Sequence, residues 1–364
     1  MLGKQYTSIG GQAVIEGVMM RSPNSFIVAV RKGDGSIRVR KSQWFGLSKK
    51  FNFIKKPFLR GVLVLFETMA NGIVSLNYSA NIAMNEEMIE DGLKKGMTKE
   101  EIEEKMRGKE KVGFATFISI FLSFLFGIAL FVMLPHGLTA LLESTIGAKW
   151  GLDSFQFHAV DGIIKALIFL LYIFLIGFFP DIKRVFQYHG AEHKSISTFE
   201  AGEELTVENA SKYTTFHPRC GTTFIFFLLF VSIIIFAILF AFISVGEGQV
   251  AVVKHLMAIG LKIIFTIPIA GISYELIKFV GKKTDSLVGR FLSFPGMMLQ
   301  RLTTREPDSE QLEVALVSIR TALFLEEKYN LKEADQKAFE VEEMDINSLD
   351  GIAASNLKLN DFLE

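Results

Sequence analysis

The chain has 364 residues, half of them apolar and 35 of them Phe, with basic and acidic residues balanced at 39 each. Its mean hydropathy is +0.34. The apolar residues fall in long blocks, as in a polytopic membrane protein rather than a large soluble core; the balanced charge gives no reason to expect nucleic acid, and a single Cys excludes an intrachain disulfide framework.

In chain order, the opening MLGKQYTSIGGQAV lacks the continuous apolar stretch of a signal peptide, so a later span is expected to direct insertion. Stretches near 12–20, 25–31 and 36–43 are rich in Val and Ile, and Gly33-Asp34-Gly35 makes a hairpin turn between the last two; residues 1–57 read as a β-rich N-terminal region. In 58–83, Glu67, Asn71, Ser75 and Tyr78 recur at helical spacing as one polar stripe, which predicts an amphipathic helix lying on the membrane surface or re-entering it. Residues 84–111 interleave Glu and Lys and read as a solvated helix or spacer.

Four segments pass the length test for a bilayer-spanning helix: 113–135, 159–180, 221–245 and 256–279. The first and third carry no charge. The second carries Lys165, expected to snorkel to the interface, and the fourth carries Lys262, Pro268 and Glu275. The fold class is therefore a mainly α polytopic membrane protein of about four transmembrane helices, filling 112–283, with a small N-terminal β element and cytoplasmic loops. Four spans put residues 1–111, the loop 181–220 and everything after 280 on one side. That loop alone holds Lys183, Arg184, Lys194, Lys212 and Arg219, whereas 136–158 has only Lys149 and 246–255 only Lys254, so the positive-inside bias places both termini in the cytoplasm. After the last span, 284–302 reads as interfacial around Pro295-Gly296, 308–330 as a helix within a unit ending at 330, and 331–364 as a disordered acidic tail.

The loop 181–220 concentrates chemistry. It holds His189-Gly-Ala-Glu192-His193 and His217-Pro-Arg-Cys220, which together contain three of the six histidines and the one cysteine. Positions i and i+4 share a helix face, so His189 and His193 can point at one ion with Glu192 beside them, the H-x-x-E-H arrangement of inverted zinc peptidases. Gly190 weakens such a helix by roughly 1 kcal/mol relative to Ala. His217 and Cys220 add two zinc-type ligands. If His189, His193, His217 and Cys220 all bind, the site is closed and structural; if one is absent, a position opens for water and Glu192 can serve as general base. Glu275 is a replacement ligand on this topology, and pairing with Lys278 accounts for it equally well. The bland account of the cluster is surface histidines and a buried thiol.

These residues also carry a resemblance. Gly10-Gly11-Gln12-Ala13-Val14-Ile15-Glu16-Gly17-Val18-Met19, Pro57-Phe58-Leu59-Arg60-Gly61, the run Lys183 to Lys194, His217-Pro218-Arg219-Cys220-Gly221 and Leu302-Thr303-Thr304-Arg305-Glu306-Pro307 resemble the YqhQ family of bacterial multi-pass membrane proteins over about residues 9 to 325. The resemblance implies a bacterial cell-membrane location and a predicted metal-dependent enzyme without an established substrate. All five motifs fall on the cytoplasmic side of the topology, so Gln12, Glu16 and Arg21, the loop ligands, and Thr303, Thr304, Arg305 and Glu306 are expected to converge beneath the bundle. Each has a plain alternative: Glu16 can pair with Arg21 across a turn, and Thr303 or Thr304 can cap a helix with Pro307 in its first turn.

Two functions follow. One is a zinc-dependent hydrolase acting at the cytoplasmic face of the lipid bilayer on a peptide or lipid-linked substrate, with Zn2+ as cofactor and Glu192 as base. The other is a metal-stabilised scaffold or accessory factor for membrane-protein insertion or assembly, with a membrane-protein partner. A transporter is disfavoured, since four spans show no internal repeat and little buried charge.

Overall fold

A computed structural model describes residues 9–23, 25–43, 59–98, 101, 114–243, 245–246, 248–281, 286–328 and 342–351. Much of the expected spacer beyond Thr98 and of the tail beyond Gly351 lies outside the described residues.

The N-terminal sheet is antiparallel throughout, in the order β1 (Gly10–Val14), β2 (Gly17–Arg21), β3 (Ser25–Arg31), β4 (Ile37–Gln43) and β5 (Glu342–Ile346). The stretch 12–20, expected as one strand, is a hairpin. Val14 pairs with Gly17 around a two-residue turn in which Glu16 adopts φ 51°. A Cβ on Gly17 would sit 2.1 Å from the Ala29 carbonyl oxygen, so this tight strand crossing requires glycine.

The fifth strand corrects the expectation of a disordered tail for residues 342–346. Glu343 lies opposite Arg40 and Asp345 opposite Arg38, with the Arg38 guanidinium bonded to Asp345, while Ile346 is buried in the main core. Acidic, polar composition pointed to disorder; the charges are in fact complementary to one particular strand.

The sheet is covered on both faces. One carries Val18, Met20, Ile27, Ala29 and Val39 against α5 (Pro180–Ala201) and α10 (Ser309–Lys328), the latter burying Leu312, Val314 to Val317, Ile319, Ala322, Leu323 and Leu325. The other carries Val14, Met19, Phe26, Val28 and Val30 against Tyr78 and Ile82 of α1 (Leu59–Lys94). At about 25 cal/mol per Å2 of apolar surface, this two-sided burial is the main force holding the sheet region together.

The remaining long helices form the apolar bundle. An unbroken helical run comprises α2 (Phe114–Ile128), a π turn (Ala129–Met133) and α3 (Leu134–Ile146); it is followed by α4 (Phe155–Ile176), α7 (Gly221–Phe242) and α8 (Ala251–Gly281). A short α6 (Val207–Ser211) and α9 (Leu287–Thr303) complete the helices among the described residues. Among the described residues, five helices are long and apolar enough to cross a membrane, because α1 passes the test together with the four expected spans.

Contacts along α1 tie its start to α8, where Gly61 rests on Gly271 and Tyr274, and its middle and end to the sheet. Arg60 bonds Glu275 near the end of α8, Gly72 rests on the Gln12 side chain, Ser79 accepts the Ile15 amide, and Glu86 accepts the Gly33 amide. The polar stripe foreseen in 58–83 is therefore the face that meets the sheet, and Phe66, Met69, Ile73 and Leu76 project from α1 exposed.

Candidate metal centre

The centre forms where α5 passes under the start of α7. Gly202 closes α5 in the left-handed region, and Cys220 is the N-cap residue of α7. His189 and His193, one turn apart on α5, face Cys220, and their ligand atoms with the Cys220 sulfur all lie within 4.8 Å of one another. His189 Nε2 is 3.2 Å from Cys220 Sγ.

Backbone carbonyls orient both rings. His189 Nδ1 donates to the Thr303 oxygen at 2.9 Å and His193 Nδ1 to the Thr215 oxygen at 2.6 Å. A carbonyl only accepts, so each Nδ1 carries the proton and each Nε2 presents a lone pair toward the sulfur. His193 is 1 % exposed and its Nε2 has no hydrogen-bond partner among the described residues. Glu192 is buried too, with a carboxylate oxygen 3.7 Å from His193 Nε2 and 3.9 Å from His189 Nε2.

Gly190 fits this geometry for a reason other than helix propensity. A Cβ there would stand 2.2 Å from the Arg305 carbonyl oxygen, so the glycine admits the extended Thr304–Arg305 backbone against α5. That linker supplies the Thr303 carbonyl, and the Arg305 amide donates to the Phe186 oxygen. Gly11 plays a matching part from the sheet: its Cβ would meet Glu192 Cγ at 2.9 Å.

His217 departs from the expected four-ligand set. Its ring lies 5.7 Å from that of His193, centroid to centroid, but its Nε2 turns to Glu200, 3.4 Å away, and Glu200 also binds Arg219. Burial pushes the Glu200 carboxyl upward, yet the hydrogen bond and charge from His217, joined by Arg219, outweigh it and hold the group below its ordinary value. Gln300 fixes the turn, accepting the His217 amide and donating to the His217 carbonyl, both at 2.8 Å. Sequence reasoning passed over Glu200 because only the fold brings it beside the His-Pro-Arg-Cys turn.

The other candidates surround the centre without joining it. Glu16 binds Arg184, with the Tyr188 hydroxyl 3.4 Å away, instead of pairing with Arg21. Arg21 lies in the fields of Tyr274 and Glu67, and burial lowers its pKa against their attraction. Gln12 contacts α1 at Gly72. Glu275 is held by Arg60 rather than standing in as a ligand. Glu306 binds the buried Lys194, and the Arg305 guanidinium lies over the Phe186 ring.

The threonines do not cap a following helix. Thr303 ends α9 and Thr304 is its C-cap residue, with hydroxyls donating back to Leu299 and Gln300. The cap of α10 is Asp308, whose carboxylate accepts the Gln311 amide while Gln311 Oε1 accepts the Asp308 amide.

Taken together, the arrangement defines a helical protein with membrane-length apolar helices, a two-sided sheet region and a His/His/Cys cluster at their junction. Residues 56–324 match the family described as protein of unknown function (DUF1385), and the chain belongs to that family. It is similar to the uncharacterized protein YqhQ of Bacillus subtilis (strain 168), 34 % identical over 337 residues, which cover 90 % of this chain and 95 % of the relative. No solved structure matches the chain. A metal-dependent activity is not part of either description, so the chemistry rests on the site itself.

Proposed function

We propose that this protein is a metal-dependent, zinc-type hydrolase of the cell membrane, with its centre at the cytoplasmic face. The observation that carries the reading is the pair of carbonyl-held imidazoles aiming Nε2 lone pairs at one cysteine sulfur, with the His193 Nε2 buried and without a hydrogen-bond partner among the described residues. A buried acceptor without a donor is costly, and a cation satisfies it. Thiolate and imidazole together suit zinc better than magnesium or calcium, which favour oxygen. His189, His193 and Cys220 would hold the ion, which when bound supplies Lewis acidity. Glu192 is placed to orient an attacking water and take its proton, and the diversion of His217 to Glu200 leaves the protein ligands at three.

The cytoplasmic placement rests on the basic loop 181–220 and on α1. Arg60 ties the start of α1 to the centre-side end of α8, while Gly72, Ser79 and Glu86 contact the sheet on that same side, which supports an interfacial helix rather than a fifth span. Both termini then lie in the cytoplasm, and the substrate is a peptide or lipid-linked molecule met at the interface.

Burial favours a second reading. Glu192 and His193 are 5 % and 1 % exposed, which suits a closed structural site in a scaffold or accessory factor for membrane-protein insertion or assembly. Elemental analysis of the purified protein in nanodiscs, with hydrolysis assayed on peptide and lipid-ester panels, separates the two. The hydrolase reading expects about one zinc per chain in wild type and in Glu192→Gln, with turnover lost only in the variant. Zinc in wild type without turnover on any panel, and Glu192→Gln retaining the cellular role, would sink it in favour of the scaffold. Wild-type protein without metal would remove both.

A further inference from the structure

At the end of the bundle far from Cys220, α3, α4 and α8 bury a second set of ionisable groups that the metal centre does not use. Lys262 Nζ lies 2.9 Å from Asp161 Oδ2 and 3.1 Å from His136 Nδ1, and His136 Nε2 lies 2.9 Å from His255 Nδ1. Lys165 approaches the same Asp161 oxygen at 3.9 Å, so it turns inward rather than snorkelling. His136, Asp161 and Lys262 are 1 %, 2 % and 1 % exposed, whereas His255, in the second turn of α8, is half-buried. His158, on the same face of α4 as Asp161, donates from Nε2 to the Leu152 carbonyl and stacks on Phe240. Two acceptors in this set, Asp161 Oδ1 and His158 Nδ1, have no hydrogen-bond partner among the described residues, Asp161 Oδ1 lying 3.9 Å from His136 Nδ1. Glu143 of α3 is engaged with the Gly151 amide, Lys254 adjoins His255 on α8, and α7 and the π turn carry no titratable side chain.

The hydrogen bonds have a direction. A lysine ammonium only donates, so His136 Nδ1 accepts from Lys262, His136 Nε2 carries a proton and gives it to His255 Nδ1, and His255 keeps its own proton on Nε2 at the half-buried end. The chain of donors thus runs unbroken from an almost solvent-free ion pair to the outer end of the helices. The π turn at Ala129–Met133, two residues before Pro135, ends just short of His136 and sets the register of α3 there.

We propose that this network is a proton-binding site, loaded and unloaded from the membrane face opposite the metal centre through His255 and His136. On release, a Lys262 N–H bond breaks as its proton passes to His136 Nδ1. The His136 Nε2 proton passes to His255 Nδ1, and the His255 Nε2 proton leaves to water. One proton departs, both imidazoles end neutral with tautomers reversed, and Lys262 remains as an amine beside Asp161. Uptake is the reverse, and no oxidant or other reactant is needed. A structural ion pair alone requires Asp161 and Lys262; it does not require two imidazoles in series to the surface. Ionisable groups inside a bundle are costly to bury, and proton relays are one of the uses that retain them. The proposal depends on the bilayer placement and not on any ion at Cys220, so it stands or falls apart from the hydrolase reading.

The test is 15N NMR of histidine-labelled full-length protein in lipid nanodiscs, with ring signals assigned through His136→Phe and His255→Phe. The His136 and His255 nitrogens are expected to shift together as pH is varied, and His255→Phe or the milder His255→Gln is expected to abolish the His136 response while the amide spectrum stays native. Lys262→Met is expected to remove about one proton per chain from the potentiometric titration of the same preparation. Cys220→Ser should leave the His136 and His255 responses unchanged. A His136 response that survives both His255 variants, a His136 that bears its proton on Nδ1 at every pH, or an unchanged proton count in Lys262→Met overturns the proposal.

Discussion

The two buried histidine clusters sit at opposite ends of the apolar bundle, one on α5 and the start of α7 and the other on α3, α4 and α8, separated by roughly the length of α7, about 30 Å at 1.5 Å per residue. Both hold imidazoles close together and largely out of solvent. They differ in what the ring nitrogens meet. At the His189/His193 end, carbonyls occupy the Nδ1 protons, the His189 Nε2 faces the Cys220 sulfur and the His193 Nε2 has no hydrogen-bond partner among the described residues, which is what leaves room for the proposed cation. At the His136/His255 end a lysine ammonium occupies the first lone pair and the second ring occupies the next. On the two proposals, identical side chains are directed to metal or to protons by the partner of one nitrogen, which lies in the fold and not in the histidine.

The largest expected effect breaks that comparison at its root. His193→Ala should abolish stoichiometric metal, lowering affinity by more than the 10–100-fold typical of losing an outer partner, whereas His136→Ala should leave metal content unchanged. Elemental analysis and competition with a chromophoric chelator measure both. Equal metal content in the two variants would mean that the distinction between the clusters is wrong.

Next comes Gly190→Ala. Helix propensity alone favours alanine by roughly 1 kcal/mol, but the new Cβ meets the Arg305 carbonyl oxygen, and overpacking of this kind costs about 1–3 kcal/mol. The linker must retreat, taking with it the Thr303 carbonyl that orients His189. The expectation is lower thermal stability and roughly tenfold weaker metal binding. A stabilised Gly190→Ala protein would show that the linker is looser than the packing indicates.

Glu275→Gln sharpens the boundary of the centre. Glu275 is half-buried against Arg60, so the substitution should cost only about 1 kcal/mol and leave metal affinity within twofold of wild type. A tenfold loss of affinity would return Glu275 to the ligand set.

The sequence made some of this legible and hid the rest for physical reasons. Charge-poor blocks announce 221–245 and 113–135, and i, i+4 spacing announces that His189 and His193 share a face, because hydropathy and helix periodicity are local properties. The rest depends on tertiary contact. The turn of the His217 ring toward Glu200, the backbone approach that demands Gly190, and the Asp308 cap in place of the threonines follow from chain crossings that spacing does not encode. The second cluster had a readable trace in His158, Asp161 and Lys165, spaced 3 and 4 apart on one face of α4. That trace is masked when a span is judged by mean hydropathy alone.

The smallest expected effect concerns the strand that composition concealed. The hydrogen bond from Arg38, helped by its charge and that of Lys32, holds the Asp345 carboxyl below its ordinary value. A depressed carboxyl contributes stability above its unfolded pKa, about 3.9, and loses that contribution as pH falls through the lower folded value. Because Asp345 is 40 % exposed, solvent screening limits the pair to about 0.5 kcal/mol. Amide exchange of residues 342–346, corrected for intrinsic rate, should therefore show β5 loosening on acidification below about pH 4, in wild type more than in Asp345→Asn, which has nothing left to protonate. The His189/His193 cluster and the rest of the sheet should lose no protection to this carboxyl, since among the described strands β5 pairs only with β4, at the sheet edge. Equal acid sensitivity in Asp345→Asn would assign the attachment of the tail to the burial of Ile346 instead of to the charges facing Arg38.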